Sequence, residues 1–111
     1  MKPTIKHEDF TKLDLRVGKV LETQLVEGSS RLMRLKVDLG EGYGIKTIIG
    51  GLAGTYTAED LTDKQFVFLA NLEPKKLMGE ESCGMIMAAG KDGKFELLAV
   101  SEKVETGTEI C

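Results

Sequence analysis

The chain has 111 residues, of which 41% are hydrophobic and 30% are charged, and its formal net charge at pH 7 is −3. These values are ordinary for a globular protein with one core. No apolar run reaches the length of a membrane span, and residues 1–9 lack the apolar segment of a signal peptide. We therefore expect one domain over residues 1–111, located in the cytoplasm and with no membrane partner.

The acidic total weighs against a nucleic-acid partner, because domains that bind nucleic acid are usually basic. The charge is unevenly spread, however. Residues 12–46 contain seven basic and five acidic side chains, whereas residues 96–111 contain one basic and four acidic ones. One face of the protein could thus be positive. Nucleic-acid binding by such a chain would have modest affinity and depend strongly on salt.

The first strand is expected soon after a polar N-terminal arm. Leu13, Leu15 and Val17 alternate with polar residues, which predicts a half-buried strand. After Gly18 the apolar positions shift by one residue, to Val20, and a glycine at such a shift indicates a β-bulge. The bulge would bend the strand, as closure of a small barrel requires.

Residues 31–39 form the clearest period-two segment and predict the second strand, with Arg34 and Lys36 on its outer face. Residues 45–49 predict the third strand, and Lys46 lies near its start. If the two strands pair as a hairpin, Lys46 could join the charges of Arg34 and Lys36, although the sequence does not set the register. A solvated strand face explains these cations equally well.

The rest of the chain predicts a short helix, two buried strands and a hairpin. Thr57 is a good cap for a helix over residues 57–61. Residues 66–70 and 85–89 are apolar runs of strand length, and residues 91–94 form an Asp-Gly turn that leads into a strand over residues 95–100. Three strands, a helix and two strands, with an added hairpin strand and tail, match the order of an all-β, five-stranded OB-fold barrel.

The segment of residues 71–85 joins the two buried strands and carries groups that suit phosphate and ribose oxygens. Pro74 should end the first strand, because proline has no backbone donor. Beyond it the segment offers two adjacent ammonium groups, on Lys75 and Lys76, together with the amide of Asn71 and the hydroxyl of Ser82. Judged on charge alone, a solvated surface loop is the more common explanation of such a lysine pair.

From Asn71 this segment reads Asn-Leu-x-Pro-x-Lys-(Leu/Met)-x-Gly, followed by Ser-x-Gly-Met from Ser82. With blocks at residues 10–20, 35–41 and 46–52, in the same order, it resembles the tRNA-binding domain. That domain is an appendage of methionyl-tRNA synthetases, a part of the endothelial-monocyte-activating polypeptide, and a free-standing tRNA-binding protein. The resemblance extends from residue 10 to about residue 89. Glu80 and Glu81 depart from the family pattern by placing negative charge beside the lysine pair, which bears on affinity rather than on fold.

The resemblance implies the same five-stranded OB-fold barrel and a non-catalytic protein that recognises folded tRNA through its backbone and shape, assisting a methionyl-tRNA synthetase. Aromatic residues are only 5% of the chain, so base stacking offers little. The alternative is a dimeric interaction module or chaperone-like module of the same fold. The residues expected to contact RNA are Arg31, Arg34, Lys36, Lys46, Asn71, Lys75, Lys76 and Ser82.

The sequence offers little for enzymatic catalysis, and we expect no catalytic residue, metal or cofactor. Carboxylate pairs, metal-ligand clusters and phosphate-cradling glycine motifs do not occur in a convincing setting. Cys83 and Cys111 have no metal-ligand spacing. A disulfide between them stays open, although a reducing cytoplasm argues against it. A nucleophilic Cys83 would need a histidine base, and His7 is distant in sequence.

The resemblance also implies a two-fold homodimer, because free-standing relatives of this size pair through segments outside the barrel. The barrel core is expected over about residues 10–100. The flanking segments carry Ile5, Val104 and Ile110, which a small barrel would leave uncovered and which two copies could bury against each other. A monomer whose tail lies on its own barrel is the alternative.

Overall fold

The computed structural model describes residues 1–91 and 93–111. The first part of the chain forms a one-turn helix and three strands: α1 (His7–Phe10), β1 (Leu15–Leu25), β2 (Met33–Asp38) and β3 (Ile45–Gly50). A second one-turn helix and seven strands follow: α2 (Ala58–Leu61), β4 (Gln65–Leu69), β5 (Lys75–Leu77), β6 (Glu80–Ser82), β7 (Met85–Ile86), β8 (Ala88–Lys91), β9 (Lys94–Leu97) and β10 (Ala99–Val100). Within the described ranges, no helix is long and apolar enough to cross a bilayer.

The main sheet is antiparallel, with strand order β10-β4-β1-β2-β3 and with β7 also paired to β4. The Cys83 N–H donates to the Thr47 carbonyl at 2.8 Å and brings the approach to β7 beside β3, which nearly closes the sheet on itself. The prediction of an all-β, five-stranded OB-like barrel is confirmed. The period-two prediction for β2 also holds, because Met33, Leu35 and Val37 are buried in the barrel core.

The helix α2 begins where its cap predicted. The Thr57 hydroxyl accepts from the Asp60 N–H at 3.3 Å, and the Asp60 carboxylate accepts from the Thr57 N–H at 2.8 Å. These bonds satisfy amides that the first turn would leave without partners. The Thr57 backbone bond, reinforced by the Thr57 hydroxyl, holds the pKa of Asp60 below its usual value. Leu61, fully buried, attaches the helix to the barrel.

The β-bulge in β1 lies later than predicted. The β1–β2 register shifts between Val20 and Glu22, so Gly18 is not the bulged residue. A Cβ at Gly18 would approach the Phe68 ring to 2.5 Å and the Val37 side chain to 2.7 Å. Glycine is therefore needed at this position because the core packs directly against the backbone.

The predicted buried strand over residues 85–89 is interrupted at Met87. Met85 and Ile86 pair with β4, whereas Ala88 and Ala89 are exposed and pair with β9 in a separate hairpin. The burial expected for Met85 and the two alanines was wrong, because Met85 is 45% exposed and the chain departs from β4 after Met87, whose N–H still donates to the Val67 carbonyl at 2.9 Å. Asp92, in the predicted turn, lies outside the described residues; the strands on either side pair as far as Lys91 and Lys94.

The tail after β10 lies on the barrel of its own chain. Along β1, Val17 exchanges hydrogen bonds with the Thr108 carbonyl and the Gly107 N–H at 2.9 and 2.7 Å, and the Ile110 N–H donates to the Leu15 carbonyl at 2.8 Å. Gly107 packs so closely on Gly40 that a Cβ there would lie 2.7 Å from the Gly40 Cα. The tail thus occupies the beginning of β1, along the edge that β2 pairs with only from Lys19 onward.

Candidate nucleic-acid interface

The segment predicted as a shaped loop contains a small hairpin of its own, formed by β5 and β6, which we call the lysine hairpin (residues 75–82). Leu77 pairs with Glu80, so its turn consists of Met78 and Gly79, and both have positive φ, at 52° and 80°. Two positive φ angles are typical of the tightest hairpin turns, and glycine adopts them readily.

Lys75 and Lys76 are both exposed on the lysine hairpin. Lys75 pairs with Ser82 and Lys76 pairs with Glu81. Because successive side chains on a strand point to opposite faces, the two ammonium groups leave the hairpin on opposite faces. In the described part of the chain, neither ammonium lies in an ion pair. These two cations are therefore free to meet an anionic ligand.

Ser82 does not lie on the surface as predicted. The residue is 5% exposed, and its hydroxyl accepts from the Ile49 N–H at 2.9 Å and donates to the Gly84 carbonyl at 3.3 Å. This hydroxyl satisfies a buried backbone donor of β3 and fastens the lysine hairpin to the barrel. The expected direct contact with RNA is corrected to a structural role.

Asn71 is exposed, but its amide holds two segments of the chain together. The carbonyl oxygen accepts from the Asp14 N–H at 2.9 Å, and the amide nitrogen donates to the Lys12 carbonyl at 2.7 Å. The bonds fix the entrance to β1 against the exit from β4. Asn71 thereby sets the direction in which the chain leaves the barrel toward the lysine hairpin.

Arg34 and Lys36 lie on the outer face of β2, as predicted, and both have partners. Arg34 donates to the Glu80 carboxylate of the lysine hairpin and to the side-chain oxygen of Gln24. The Lys36 ammonium lies 3.6 Å from the carboxylate of Glu22, in a pair whose side chains are both more than half exposed. Both cations of this face are thus neutralised within the chain.

Lys46 does not join this pair of cations. It lies directly opposite Val37, whereas Lys36 lies opposite Thr47. Directly opposed residues share one face of a sheet, and Val37 is fully buried on the core face. Lys46 therefore leaves β3 on the side away from Arg34 and Lys36, at the exposed start of the strand. The expected extension of the patch by Lys46 was wrong.

Arg31 is exposed in the connection between β1 and β2. Its N–H donates to the Ser29 hydroxyl at 3.2 Å, and its carbonyl accepts from the Ala53 N–H at 3.0 Å. The backbone at this position is thus held while the guanidinium remains outside any ion pair formed by the described residues. The exposed guanidinium leaves the predicted contact of Arg31 with RNA a prediction.

An open cleft of about 480 Å³ separates the outer sheet face from the lysine hairpin. We call it the hairpin cleft. Seven of its eight lining residues have polar side chains, including two cations and three carboxylates; the eight are Glu22, Gln24, Arg34, Lys36, Thr47, Gly79, Glu80 and Glu81. The sequence placed the lysines and carboxylates of the hairpin side by side, but it gave no signal that Arg34 meets a carboxylate so distant along the chain.

A second polar network, which the sequence reasoning missed, anchors the tail. The Asp14 carboxylate accepts from the Arg16 Nε at 2.7 Å and from the Tyr43 hydroxyl, and Arg16 also donates to the Gly107 carbonyl at 3.2 Å. The Arg16 hydrogen bond, the largest influence, holds the pKa of Asp14 below its usual value, and Asp14 raises the pKa of Tyr43. The spacing of Asp14 and Arg16 by two residues, at the start of β1, is the signal that could have indicated the pair.

Most aromatic side chains of the described ranges pack in or against the core, and Phe10 is partly buried beside the tail. Phe66 and Phe68 are core residues, as expected. The Tyr43 hydroxyl is bound to Asp14, and the Tyr56 hydroxyl accepts from the Leu97 N–H at 2.9 Å. The interface therefore presents ammonium and guanidinium groups rather than rings.

Cys83 and Cys111 are free thiols.

Comparison with known proteins gives one matching family, whose model is described as "Putative tRNA binding domain" and matches residues 15–109. The chain is 48% identical over 110 residues to the methionine–tRNA ligase of Archaeoglobus fulgidus, which covers 99% of the chain but 16% of that enzyme. The chain is also 45% identical over 103 residues to the methionine–tRNA ligase of Caldanaerobacter subterraneus, and the match covers 93% of the chain and again 16% of the enzyme. The chain thus spans about one sixth of the length of these curated relatives.

Solved structures agree over almost the whole chain. A MetRS-related protein from Pyrococcus horikoshii matches with a TM-score of 0.91 and 34% identity, over 99% of this chain and all of that one. The chaperone CsaA of Bacillus anthracis matches with a TM-score of 0.86 and 29% identity, over 98% of this chain and all of that one.

Proposed function

The chain belongs to the tRNA-binding domain family, and from that premise we propose that it is a non-catalytic protein that binds folded tRNA. The observation that carries the proposal is the position of the family motif. Its two lysines stand exposed on the lysine hairpin without partners among the described residues. Ammonium groups in this setting match the phosphate oxygens of a nucleic-acid backbone.

In this proposal the contact surface comprises Lys75 and Lys76, with Arg31 at its edge and with Arg34 and Lys36 in the hairpin cleft. Asn71 and Ser82 serve it indirectly by holding the hairpin's flanking segments in place. Because Phe66 and Phe68 are buried and both tyrosine hydroxyls are bonded within the chain, recognition relies on phosphates, 2′-hydroxyls and shape. Preference for sequence should accordingly be small.

The relation to methionine–tRNA ligases supports a finer proposal. The curated relatives carry the matching region as a minor part of a much longer enzyme. We propose that this chain likewise assists a methionyl-tRNA synthetase by holding tRNA, in the cytoplasm, where synthetases and tRNA meet. Catalysis would then belong to the synthetase and not to this domain.

A second candidate function is a protein-interaction or chaperone-like module. The similarity to a protein named chaperone CsaA favours it, and so does a shallow groove that brings α1 and the tail together. That groove includes Phe10, Leu13 and Ile110, and Ile5 nearby in sequence is 64% exposed. We further propose that two copies form a homodimer through these segments, which the docked tail leaves only half covered.

The decisive experiment is to measure the affinity of the purified protein for total tRNA, duplex DNA and a short unstructured RNA at several salt concentrations. We expect tRNA to bind most tightly, with log affinity falling linearly against log salt. Affinity for tRNA no greater than for duplex DNA would reject the proposal. Equal affinity for tRNA and unstructured RNA would reject recognition of folded shape.

A further inference from the structure

In the hairpin cleft, the cations that could bind an anion are paired with carboxylates of the chain itself. It carries the two cations Arg34 and Lys36 and the three carboxylates Glu22, Glu80 and Glu81, so its formal charge is −1. A polyanion that approaches the cleft therefore meets net repulsion. The free cations of the interface, Lys75 and Lys76, lie on the hairpin beside it.

Arg34 shows how the site is filled. One terminal nitrogen of its guanidinium donates to the Glu80 carboxylate, and the other donates to the Gln24 side-chain oxygen. Two oxygens held by the two arms of one guanidinium reproduce the way arginine binds a phosphate. Glu80 and Gln24 thus occupy donors on both terminal nitrogens of the guanidinium, which are the groups that a phosphate would use.

We infer that Glu80 is an internal competitor for RNA phosphate, which a bound tRNA displaces from Arg34. The inference rests on the proposed function. Exchange is feasible because the Arg34 and Glu80 side chains are 33% and 30% exposed, so solvent and ligand can reach the pair. Each arriving phosphate replaces one carboxylate, and Arg34 keeps its charge-assisted hydrogen bonds throughout.

The hairpin couples this exchange to the free lysines. Lys75 pairs with Ser82 and Leu77 pairs with Glu80, so Lys75 and Glu80 leave the hairpin on the same face. A backbone that binds Lys75 thereby brings further phosphates toward Glu80. A ligand whose length and shape let it reach both Lys75 and Arg34 gains enough binding free energy to offset the cost of displacing Glu80. A ligand that reaches only one of these residues does not. Glu80 consequently lowers affinity for every RNA and favours the folded one.

The test is the variant Glu80→Gln, which keeps the size of the side chain and removes its charge. We expect tRNA affinity to rise about three- to tenfold at low salt, and affinity for a short unstructured RNA to rise more. The log–log salt slope should steepen by about one unit, because in the variant RNA binding no longer leaves a displaced carboxylate that takes up a cation from solution. Glu96→Gln, which makes the same charge change on β9 outside the cleft, is the matched control.

Introducing Arg34→Ala into both the unaltered protein and the Glu80→Gln variant measures the coupling between Arg34 and Glu80. We expect it to weaken tRNA binding little in the otherwise unchanged protein and to abolish the gain in the Glu80→Gln protein. Glu80→Asp, which retracts the carboxylate by one methylene, gives an intermediate gain and serves if Glu80→Gln proves unfolded by melting.

Affinity for tRNA that is unchanged, reduced, or raised only as much as by Glu96→Gln would overturn the inference and leave Glu80 as a clamp for the hairpin. The proposed function fails separately, if the unaltered protein does not prefer tRNA to duplex DNA.

Discussion

The lysine hairpin supplies the most direct test of the interface, through the double variant Lys75→Ala/Lys76→Ala. Each ammonium is exposed and outside the ion pairs of the described residues, so its removal should subtract only contacts made to the ligand. At about 1 kcal/mol for each charge-assisted contact, two contacts amount to about 2 kcal/mol, or roughly a 30-fold loss of tRNA affinity at low salt. We expect a value between about 10- and 100-fold, given the spread of such contacts.

Stability and salt dependence make this prediction specific. Exposed side chains without partners contribute little to folding, so the free energy of unfolding should change by less than about 0.5 kcal/mol. The log–log salt slope should become shallower by about one to two units, because two fewer phosphates are neutralised. Filter binding or fluorescence anisotropy over a salt series measures the affinity, and thermal melting measures the stability.

The matched control is Lys91→Ala/Lys94→Ala, which removes two exposed lysines that oppose each other on the other hairpin, β8–β9. It changes net charge by the same amount at a different site. Undiminished tRNA binding by the folded Lys75/Lys76 double variant would remove the lysine hairpin from the interface. An equal loss in the control would show that net charge, and not position, governs binding.

Three further outcomes follow from the contacts. Ser82→Ala should destabilise the fold by about 1–3 kcal/mol in chemical denaturation, because it leaves the buried Ile49 N–H without its acceptor; an unchanged midpoint would contradict the role given to the hydroxyl. Asp14→Asn should make stability less sensitive to acid. The folded-state pKa of Asp14 is lowered, so the stability that its bond to Arg16 contributes is complete above the ordinary pKa of 3.8 and is lost as the pH falls through the folded-state pKa. In melting curves recorded at descending pH, the melting temperature should fall more steeply for the unaltered protein than for the variant. Equal falls would show that the pair contributes nothing. Sedimentation at micromolar concentration should give a dimer mass; a monomer mass would defeat the dimer, and a dimer that survives deletion of residues 101–111 would show that the tail does not hold it together.

Local patterns predicted those parts of the fold that local physics decides. Alternation along β2 identified its buried face, and the Thr57 side chain located the start of α2. The apolar run at residues 66–70 gave β4 to within one residue at each end. Each of these features depends on neighbours in the sequence, so a window of a few residues contained the information.

The parts that failed depend on contacts between distant segments. The face on which Lys46 lies follows from the register of β3 against β2, and the loop between them offered no rule for it. The Ser82 hydroxyl points inward because β3 presents a buried N–H to it, a partner 33 residues away. Arg34 and Glu80 are 46 residues apart, and neither residue carries a local sign of the other. Residue types thus predicted the chemistry of the interface better than its arrangement.

The docked tail has a consequence for the rate at which the protein unfolds. Until residues 107–110 arrive, the first half of β1 lacks the partners that the backbone of Leu15 and Val17 finds in the native barrel. Those partners come from the opposite end of the sequence, so the chain must close nearly its largest loop before they form. Barrels dominated by such distant pairings fold on the order of milliseconds to seconds, slowly for their size. Because closing so large a loop is entropically costly, we expect these contacts to form after the rate-limiting step. Stopped-flow refolding and unfolding should then show that shortening the tail accelerates unfolding far more than it slows folding.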